Sequence, residues 1–304
     1  MGLLVVGSFA LDSVETPFDK VENALGGSAT YISLAASYFS GPIKVVGVVG
    51  EDFPKSYIEM LNNHNIDLEG LEIIPGGKTF RWSGKYHYDL NVRDTLLTEL
   101  NVFEKFDPKI PENARKSKFI CLGNIDPVLQ SKVLEQMENP QFIVCDTMNF
   151  WIEGKKAELL DLLPKVNVLI INDSEARLLA QEPNLIKAAK KIRELGPQIL
   201  IIKKGEHGAL LFNEEIIFSA PAYPMENIFD PTGAGDSFAG GFIGYLFKTR
   251  DLSADNLKRA VIYGSTMASF CVEKFSTKGL EELSLLQIQD RFRQFMNLSR
   301  FDEE

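Results

Sequence analysis

The sequence predicts an α/β protein with a parallel, doubly wound sheet and a small β lid. Two observations carry that prediction. Short apolar runs rich in β-branched residues alternate with amphipathic segments along most of the 304 residues. One segment, from Thr79 to about Asp89, abandons that rhythm for strict two-residue alternation.

The strand runs are Leu3–Val6, Val45–Val49, Phe119–Leu122, Phe142–Cys145, Val168–Ile171 and Ile199–Ile202. Their near-continuous apolar character is that of strands covered on both faces. Helical segments lie between them. Thr30–Tyr38 follows the pair Gly26-Gly27, and Leu129–Met137 follows Asp126-Pro127. Ser174–Gln181 starts at a capping residue, and Leu185–Leu195 stops at Gly196-Pro197. In the alternating segment Phe80, Trp82, Gly84, Tyr86 and Tyr88 share one parity, and Arg81, Ser83, Lys85 and His87 the other. Such a strand has one aromatic and one polar, partly basic face, so residues ~10–25 and ~72–103 are expected to form the lid. Glu104–Lys118, with Pro108 and Pro111, reads as the return connection, and Asp302-Glu303-Glu304 as a frayed tail. No internal repeat divides the chain, so residues 1–304 are expected to form a single α/β domain.

Composition narrows the function. With 45% hydrophobic and 24% charged residues the chain can bury a full core. A net charge of −10 without a long Lys/Arg run argues against nucleic acid as a partner. Cys121, Cys145 and Cys271 form no CxxC pair, and two of them sit within apolar runs, as buried thiols of a reducing compartment would. No apolar segment approaches the roughly 20 residues that span a bilayer. Met1–Ala10 lacks a basic flank and reads as a buried strand, and Val6 stands where a myristoylation motif needs Ser or Thr. A cytoplasmic location is expected, with no membrane partner.

The stretch Asp230-Pro231-Thr232-Gly233-Ala234-Gly235-Asp236 carries the chemistry. Gly233 and Gly235 let successive N–H groups turn toward one point, and the apolar helix that follows adds its own unpaired N–H groups and positive dipole end. Such a loop is an anion hole, suited to the charge on a phosphoryl group in transfer. Asp236 stands at its mouth, where a carboxylate repels phosphate unless it has a task. General base for a substrate hydroxyl is that task, with an ordinary pKa of about 3.9 keeping it ionised. The competing role is a helix N-cap.

This stretch resembles the C-terminal signature of the ribokinase-like carbohydrate kinases, the PfkB family, and the match spans residues ~3–280. The resemblance implies a three-layer α/β/α sandwich with a β lid, and ATP-dependent phosphorylation of a hydroxymethyl group. It implies Asp236 as base, and Gly233, Ala234 and Gly235, with Thr232 beside the nucleotide, as the anion hole. Gly26-Gly27 resembles the sugar-contacting diglycine, and Asp12 the carboxylate that binds substrate hydroxyls. Asn172-Asp173-Ser174-Glu175 resembles the Asn-x-x-Glu motif, with Glu175 serving magnesium through water. Lys204-Gly205-Glu206-His207-Gly208 resembles the turn against the nucleotide. Asp230 and Thr232 match positions that hold a monovalent cation, such as potassium, in some relatives.

Each segment also has a plainer physical reading. Gly26-Gly27 could be a tight turn, Asp12 a turn residue, and Glu175 a capping partner of Asn172. Tyr31 occupies the place of an Asn that commonly contacts substrate. Lys203 replaces a usual Thr and either faces the ATP phosphates or lies on a solvated edge, the edge being the preferred reading. Asp146-Thr147-Met148-Asn149 follows a strand end, which makes Asn149 a candidate substrate contact, while Phe150 and Trp151 could pack under the next helix. Two decoys fail. Gly76-Gly77-Lys78-Thr79 lacks the upstream glycine of a phosphate-binding loop, since Glu72 stands there, and Gly7 alone cannot make a dinucleotide fingerprint.

The expectation is therefore a magnesium-dependent ATP kinase acting on a neutral sugar or sugar acid. A nucleoside is the alternative acceptor, on which the aromatic lid face could stack. Arg81, Lys85 and His87 leave a phosphorylated substrate open. A sugar-binding regulator without turnover would have lost the base or the loop glycines, and both are present. An exposed aromatic lid suits pairing of two copies into a homodimer, though not as a sole function.

Overall fold

Four consecutive apolar residues can be buried on both sides only where layers cover both faces of their strand. The computed structural model, which describes residues 2–300, meets that condition. Strand β1 (Leu3–Val6) sends Leu3 and Val5 into one core and Leu4 and Val6 into another. The helices Ser28–Ser37, Ala234–Thr249 and Ala254–Cys271 cover the first face through Ala29, Ile32, Phe242 and Val261. The helices Pro127–Glu135, Asp173–Ala180 and Leu185–Glu194 cover the second through Val133, Leu179 and Ile192. The fold is a three-layer α/β/α sandwich with a separate small sheet.

The remaining strands are β2 (Ala10–Glu15), β3 (Lys20–Gly26), β4 (Ile43–Gly50), β5 (Ile66–Ile74), β6 (Phe80–Tyr86) and β7 (Arg93–Glu99). Beyond them lie β8 (Phe119–Leu122), β9 (Phe142–Asp146), β10 (Val168–Asn172), β11 (Ile199–Lys203), β12 (Ala209–Phe212) and β13 (Ile217–Ala220). The large sheet runs β13-β12-β11-β10-β9-β8-β1-β4-β5, and the small one β3-β2-β6-β7. Strands β5 to β11 of the large sheet are parallel, and β12 is antiparallel to both its neighbours. Chain order reverses at β1, which lies between β4 and β8, and this reversal opens a crevice beyond the carboxyl ends of the strands. Asp146, Asn172 and Lys203 close β9, β10 and β11 at that edge.

All six strand runs read from the sequence form strands, lengthened by up to two residues at an end, and the four helical segments begin within two residues of expectation. The lid differs at one boundary. Residues 72–74 belong to β5, parallel to β4, so the second lid segment begins at Phe80. An edge strand covered on one side interleaves Asp67, Glu69 and Glu72 with its apolar residues, which hid it from a search for continuous apolar runs. Alternation holds over β6: Phe80 stacks on Phe103 at 5.5 Å, and Tyr86 is buried. Tyr88 falls in the turn beyond the strand and is exposed. The basic residues of the opposite face are all paired: Arg81 with Asp52 at 3.0 Å, Lys85 with Glu15 at 2.6 Å, and His87 with Asp94 at 2.9 Å. All three cysteines are buried and free. No helix among the described residues is long and apolar enough to cross a membrane. The acidic tail from Asp302 lies outside the described residues.

The helices Ser28–Ser37 and Ala234–Thr249, which carry the diglycine and the anion loop at their starts, meet at Gly240. A Cβ there would fall 2.3 Å from the Ile32 carbonyl oxygen. Gly240→Ala is therefore expected to lower stability by about 1–3 kcal/mol through overpacking. A shifted urea midpoint with unchanged slope checks this, and an unshifted midpoint would contradict the close approach.

Candidate active site

The helix Ala234–Thr249 starts from Gly233, whose φ of 77° lies in the left-handed region. A Cβ at Gly233 would fall 2.4 Å from the ring of Tyr31. Ala234 N–H turns back to the Pro231 carbonyl at 3.2 Å, and Ser237 N–H bonds the Gly233 carbonyl at 2.8 Å. Between them, the N–H groups of Gly235 and Asp236 have no carbonyl partner among the described residues. Any anion at this loop would meet the N–H groups of residues 235 and 236, while that of Ala234 is already engaged. Gly233 is the N-cap, so Asp236 does not cap its helix; its Oδ1 is buried with no hydrogen-bond partner.

The carboxyl of Asp236 does not keep an ordinary acidity. Burial, with the Asp146 charge added, pushes it from 3.8 up to about 7, against the pull of Lys203 and Arg93. Lys203 is the clearest departure from the sequence reading: it is on no solvated edge. Its side chain is only 19% exposed, its Nζ lies 3.9 Å from Asp146 Oδ1, and a Cβ on Gly235 would meet that Nζ at 2.7 Å. Burial acts to lower the Lys203 pKa, but Asp146, Glu175 and Asp236 together outweigh it and raise it. Asp146 is raised by burial, against the Lys203 charge and the Thr147 N–H, which donates to it at 2.9 Å.

Glu175 takes its capping reading, and its buried place leaves the magnesium reading open. Its Oε2 accepts from Asn172 N–H at 2.8 Å while Asn172 Oδ1 accepts from Glu175 N–H at 2.8 Å, a complete capping box. Its carboxyl is also buried beside Lys203 and Asp146, and burial first, then the Asp146 charge, raises it to about 7.

On the opposite side of Asp236 stands Asp12, 7% exposed on β2. A Cβ on Gly26 would fall 1.9 Å from Asp12 Oδ2, so only glycine admits the carboxyl there. Gly27, with φ of 95°, is the N-cap of the helix Ser28–Ser37, and its N–H works against the rise of the Asp12 pKa. Burial, then the charges of Asp230 and Asp236, raises Asp12 to about 8. Tyr31 is 1% exposed and packs against Gly233, supporting the loop instead of lining a surface open to substrate. Asn149 starts a short helix and is exposed; no hydrogen bond ties it to Asp12 or Asp236. Trp151 beside it donates to Asn124 Oδ1 at 3.0 Å, and Phe150 is exposed.

The expected nucleotide side is a turn and two loop residues. Lys204 N–H bonds the Gly208 carbonyl at 2.7 Å, closing the turn over Gly205–His207. A Cβ on Gly208 would strike the Ala220 carbonyl oxygen at 2.0 Å. Thr232 N–H donates to Asp230 Oδ1 at 2.9 Å, and Ser276 N–H to Asp230 Oδ2 at 3.0 Å. Both Asp230 oxygens are thereby engaged with main-chain donors. Burial raises this carboxyl, and those donors work against the rise. The lid touches this side twice. Tyr86 Oη lies 3.1 Å from Thr232 Oγ1, and a Cβ on Gly205 would lie 2.3 Å from Asn91 Oδ1.

Three residues outside the expected set therefore belong to the site: Asp146, Lys203 and Arg93. The first two had a readable signal, a charged residue ending an apolar run at the carboxyl edge of the sheet. Arg93, on exposed β7, had none; its charge reaches Asp236 and Glu175 only because the lid folds over. The residues fit a nucleotide and magnesium. Unpaired N–H groups await an anion, and no group of three or more His, Cys, Asp or Glu among the described residues could hold a metal alone. Magnesium here would lean on phosphate oxygens and water, as it commonly does. A cavity of about 380 Å³ between β5 and residues 106–111 touches none of these groups.

A profile of the pfkB family of carbohydrate kinases matches residues 4–282. The chain is 29% identical over 257 residues to a cytidine kinase of Thermococcus kodakarensis, covering 83% of this chain and 91% of that protein. A nucleoside kinase of Burkholderia thailandensis in complex with inosine superposes with a TM-score of 0.77, at 18% identity, over 97% of this chain and 99% of that one. A putative ribokinase II from E. coli in complex with ATP and Mg²⁺ superposes with a TM-score of 0.78, at 18% identity, over 96% and 99%.

The raised pKa of Asp12 makes stability pH-dependent. A carboxyl that holds its proton more tightly when folded loses stability as pH rises from 3.8 to about 8. Asp12→Asn removes that loss. Its Tm relative to wild type is expected to improve by about 2–6 °C between pH 4 and pH 8. A pH-independent difference would show that Asp12 titrates normally.

Proposed function

The chain belongs to the pfkB family of carbohydrate kinases and is a phosphotransferase acting on an alcohol group; from that premise we propose that it transfers the γ-phosphate of ATP to the hydroxymethyl group of a nucleoside. One observation carries the chemistry: a buried carboxylate oxygen without a partner, Asp236 Oδ1, beside two unpaired main-chain N–H groups. Base and anion site stand next to each other, as attack by a hydroxyl on a phosphoryl group requires.

Asp12 and the N–H of Gly27 orient the acceptor hydroxyls. The turn Lys204–Gly208, the amide of Asn172 and Thr232 receive ATP, and the free oxygen of Glu175 would hold a water of a magnesium ion, which when bound would supply neutralisation of phosphate charge. Asp236 takes the hydroxyl proton late, as a loose phosphoryl-transfer transition state demands little early activation of the nucleophile. A pKa of about 7 suits both halves of that task, since the base is ionised in part at neutral pH and still holds a proton once it arrives. The Gly235 and Asp236 N–H dipoles and the helix start favour the charge in transfer.

The acceptor class rests on relatives and on the lid. The cytidine kinase relative and the inosine-bound nucleoside kinase support a nucleoside over the sugar or sugar acid favoured by sequence alone. Trp82, half-buried on the lid, offers a ring face for stacking, at about 1–3 kcal/mol per base. Pairing of Arg81, Lys85 and His87 with carboxylates argues against a phosphorylated acceptor. Retention of base and glycines argues against a non-catalytic regulator. The exposed edge β7, with Leu96 and Leu97, suits pairing of two copies through the lid. The free thiols suit a cytoplasmic setting.

An ADP-release screen over nucleosides, sugars and sugar acids tests the proposal. Nucleosides, cytidine among them, are expected to give the highest kcat/KM, and a preference for a free sugar would overturn the acceptor class. Asp236→Asn is expected to lower kcat by about 10²–10⁴ while ATP still binds; wild-type turnover in that variant would remove the base. With the best acceptor, kcat/KM should rise about 30-fold between pH 5.5 and 8, as a base of pKa near 7 ionises. A flat profile would mean that Asp236 keeps its ordinary acidity.

A further inference from the structure

Lys203 is largely buried, with 19% of its side chain exposed, and is positively charged and without a hydrogen bond. Its nearest carboxylate oxygen, Asp146 Oδ1, lies at 3.9 Å, beyond the range of an N–H···O bond. A largely enclosed ammonium whose donors find no protein acceptor is well placed for an anionic ligand. Its position shows where that ligand sits. Nζ would be 2.7 Å from a Cβ on Gly235, so it lies against the residue whose N–H opens the anion hole. Asp236 Oδ1, on the next residue, is likewise buried and unpartnered. Two unsatisfied groups of opposite charge therefore flank one short segment of main chain.

The surroundings fix the ammonium without occupying it. Asp146 from β9 and Glu175 from the helix Asp173–Ala180 face it, and register pairs Lys203 with Asn172 on one side and Ala209 on the other. Arg93 from the lid is the second cation within reach of the cluster. A phosphate oxygen near Gly235 would meet Lys203 at a distance that the protein's own carboxylates do not reach, as a charge-assisted bond requires.

The geometry points to Lys203 as a catalytic residue that binds the transferring γ-phosphoryl group, with Asp146 as the residue that positions it. This rests on the kinase reading above. As the acceptor oxygen–phosphorus bond forms, the bond from γ-phosphorus to the β–γ bridging oxygen breaks. The hydroxyl proton passes to Asp236, and the electron pair leaves on ADP. Throughout, Lys203 stays protonated and holds a non-bridging oxygen of the moving group, so its contribution is present with ATP and absent with ADP.

That difference is the test. Lys203→Met and Lys203→Arg are compared with wild type for calorimetric binding of a magnesium–imidotriphosphate analogue of ATP and of magnesium–ADP. Lys203→Met is expected to weaken the analogue by about 10–100-fold and ADP by less than about threefold. Its kcat is expected to fall about 10²–10³-fold with little change in the acceptor KM. Lys203→Arg, which keeps the charge, should recover most of the analogue affinity. Equal weakening of both nucleotides, or of neither, overturns the assignment. Should Lys203→Met fail to fold, Lys203→Met with Asp146→Asn leaves no unpaired buried charge and carries the same comparison. The acceptor reading fails in wild-type turnover, and this one fails in the ratio of the two nucleotide affinities, so the two failures are distinct.

Discussion

Crowding of carboxylates at the carboxyl edge of the sheet is the constraint on which the rest of this molecule depends. Asp12, Asp146, Glu175, Asp230 and Asp236 are all at least partly buried there, and burial raises every one of them. Like charges in a low dielectric repel strongly, and removal from water adds a desolvation penalty. A chain selected for stability alone would not gather them. The apolar layers on both faces of the sheet supply the stabilisation that offsets the arrangement, and Lys203 and Arg93 moderate it. What remains uncompensated marks where a cationic or proton-bearing partner belongs.

Close main-chain approach makes the crowding geometrically possible. The Asp12 carboxyl occupies the space of a missing side chain at Gly26, and the Tyr31 ring does the same at Gly233. The first contact joins the neighbouring lid strands β2 and β3 just before the helix start, and the second joins the first helix to the anion loop, distant in sequence. Tyr31, in place of a commonly polar residue, therefore has a physical task in holding the loop from behind. It follows that the anion hole is rigid, backed by a packed aromatic ring.

The fold was legible because parallel strands buried on both faces write a continuous apolar signal, and the anion loop because its glycines and following helix are contiguous. Other features were not. Strand β5 was masked by the polar residues of a half-covered edge. Lys203 was misread because a lone charged residue after an apolar run has two opposite interpretations, and only the position of Gly235, distant in sequence, decides between them. The acidity of Asp236 was misjudged for the same reason: sequence gives the residue type, whereas its pKa is set by Asp146 and by burial. Ala234 shows the limit of motif transfer, since its N–H is held by Pro231 within the loop itself.

The lid completes the electrostatics. Its contacts with the nucleotide side are Tyr86 with Thr232 and Asn91 against Gly205, and all seven residues of β7 are exposed. Arg93 stands on β7, so the cation that moderates Asp236 and Glu175 is supplied by the lid. The covering lid does two things at once: it keeps water from the carboxylates, which strengthens every charge in the cleft, and it supplies the positive charge that makes their ionisation tolerable. A closed lid without Arg93 would favour a protonated Asp236, and an open lid would leave the base exposed to water. Coupling of the two effects on one hairpin ties an ionised base to an enclosed site.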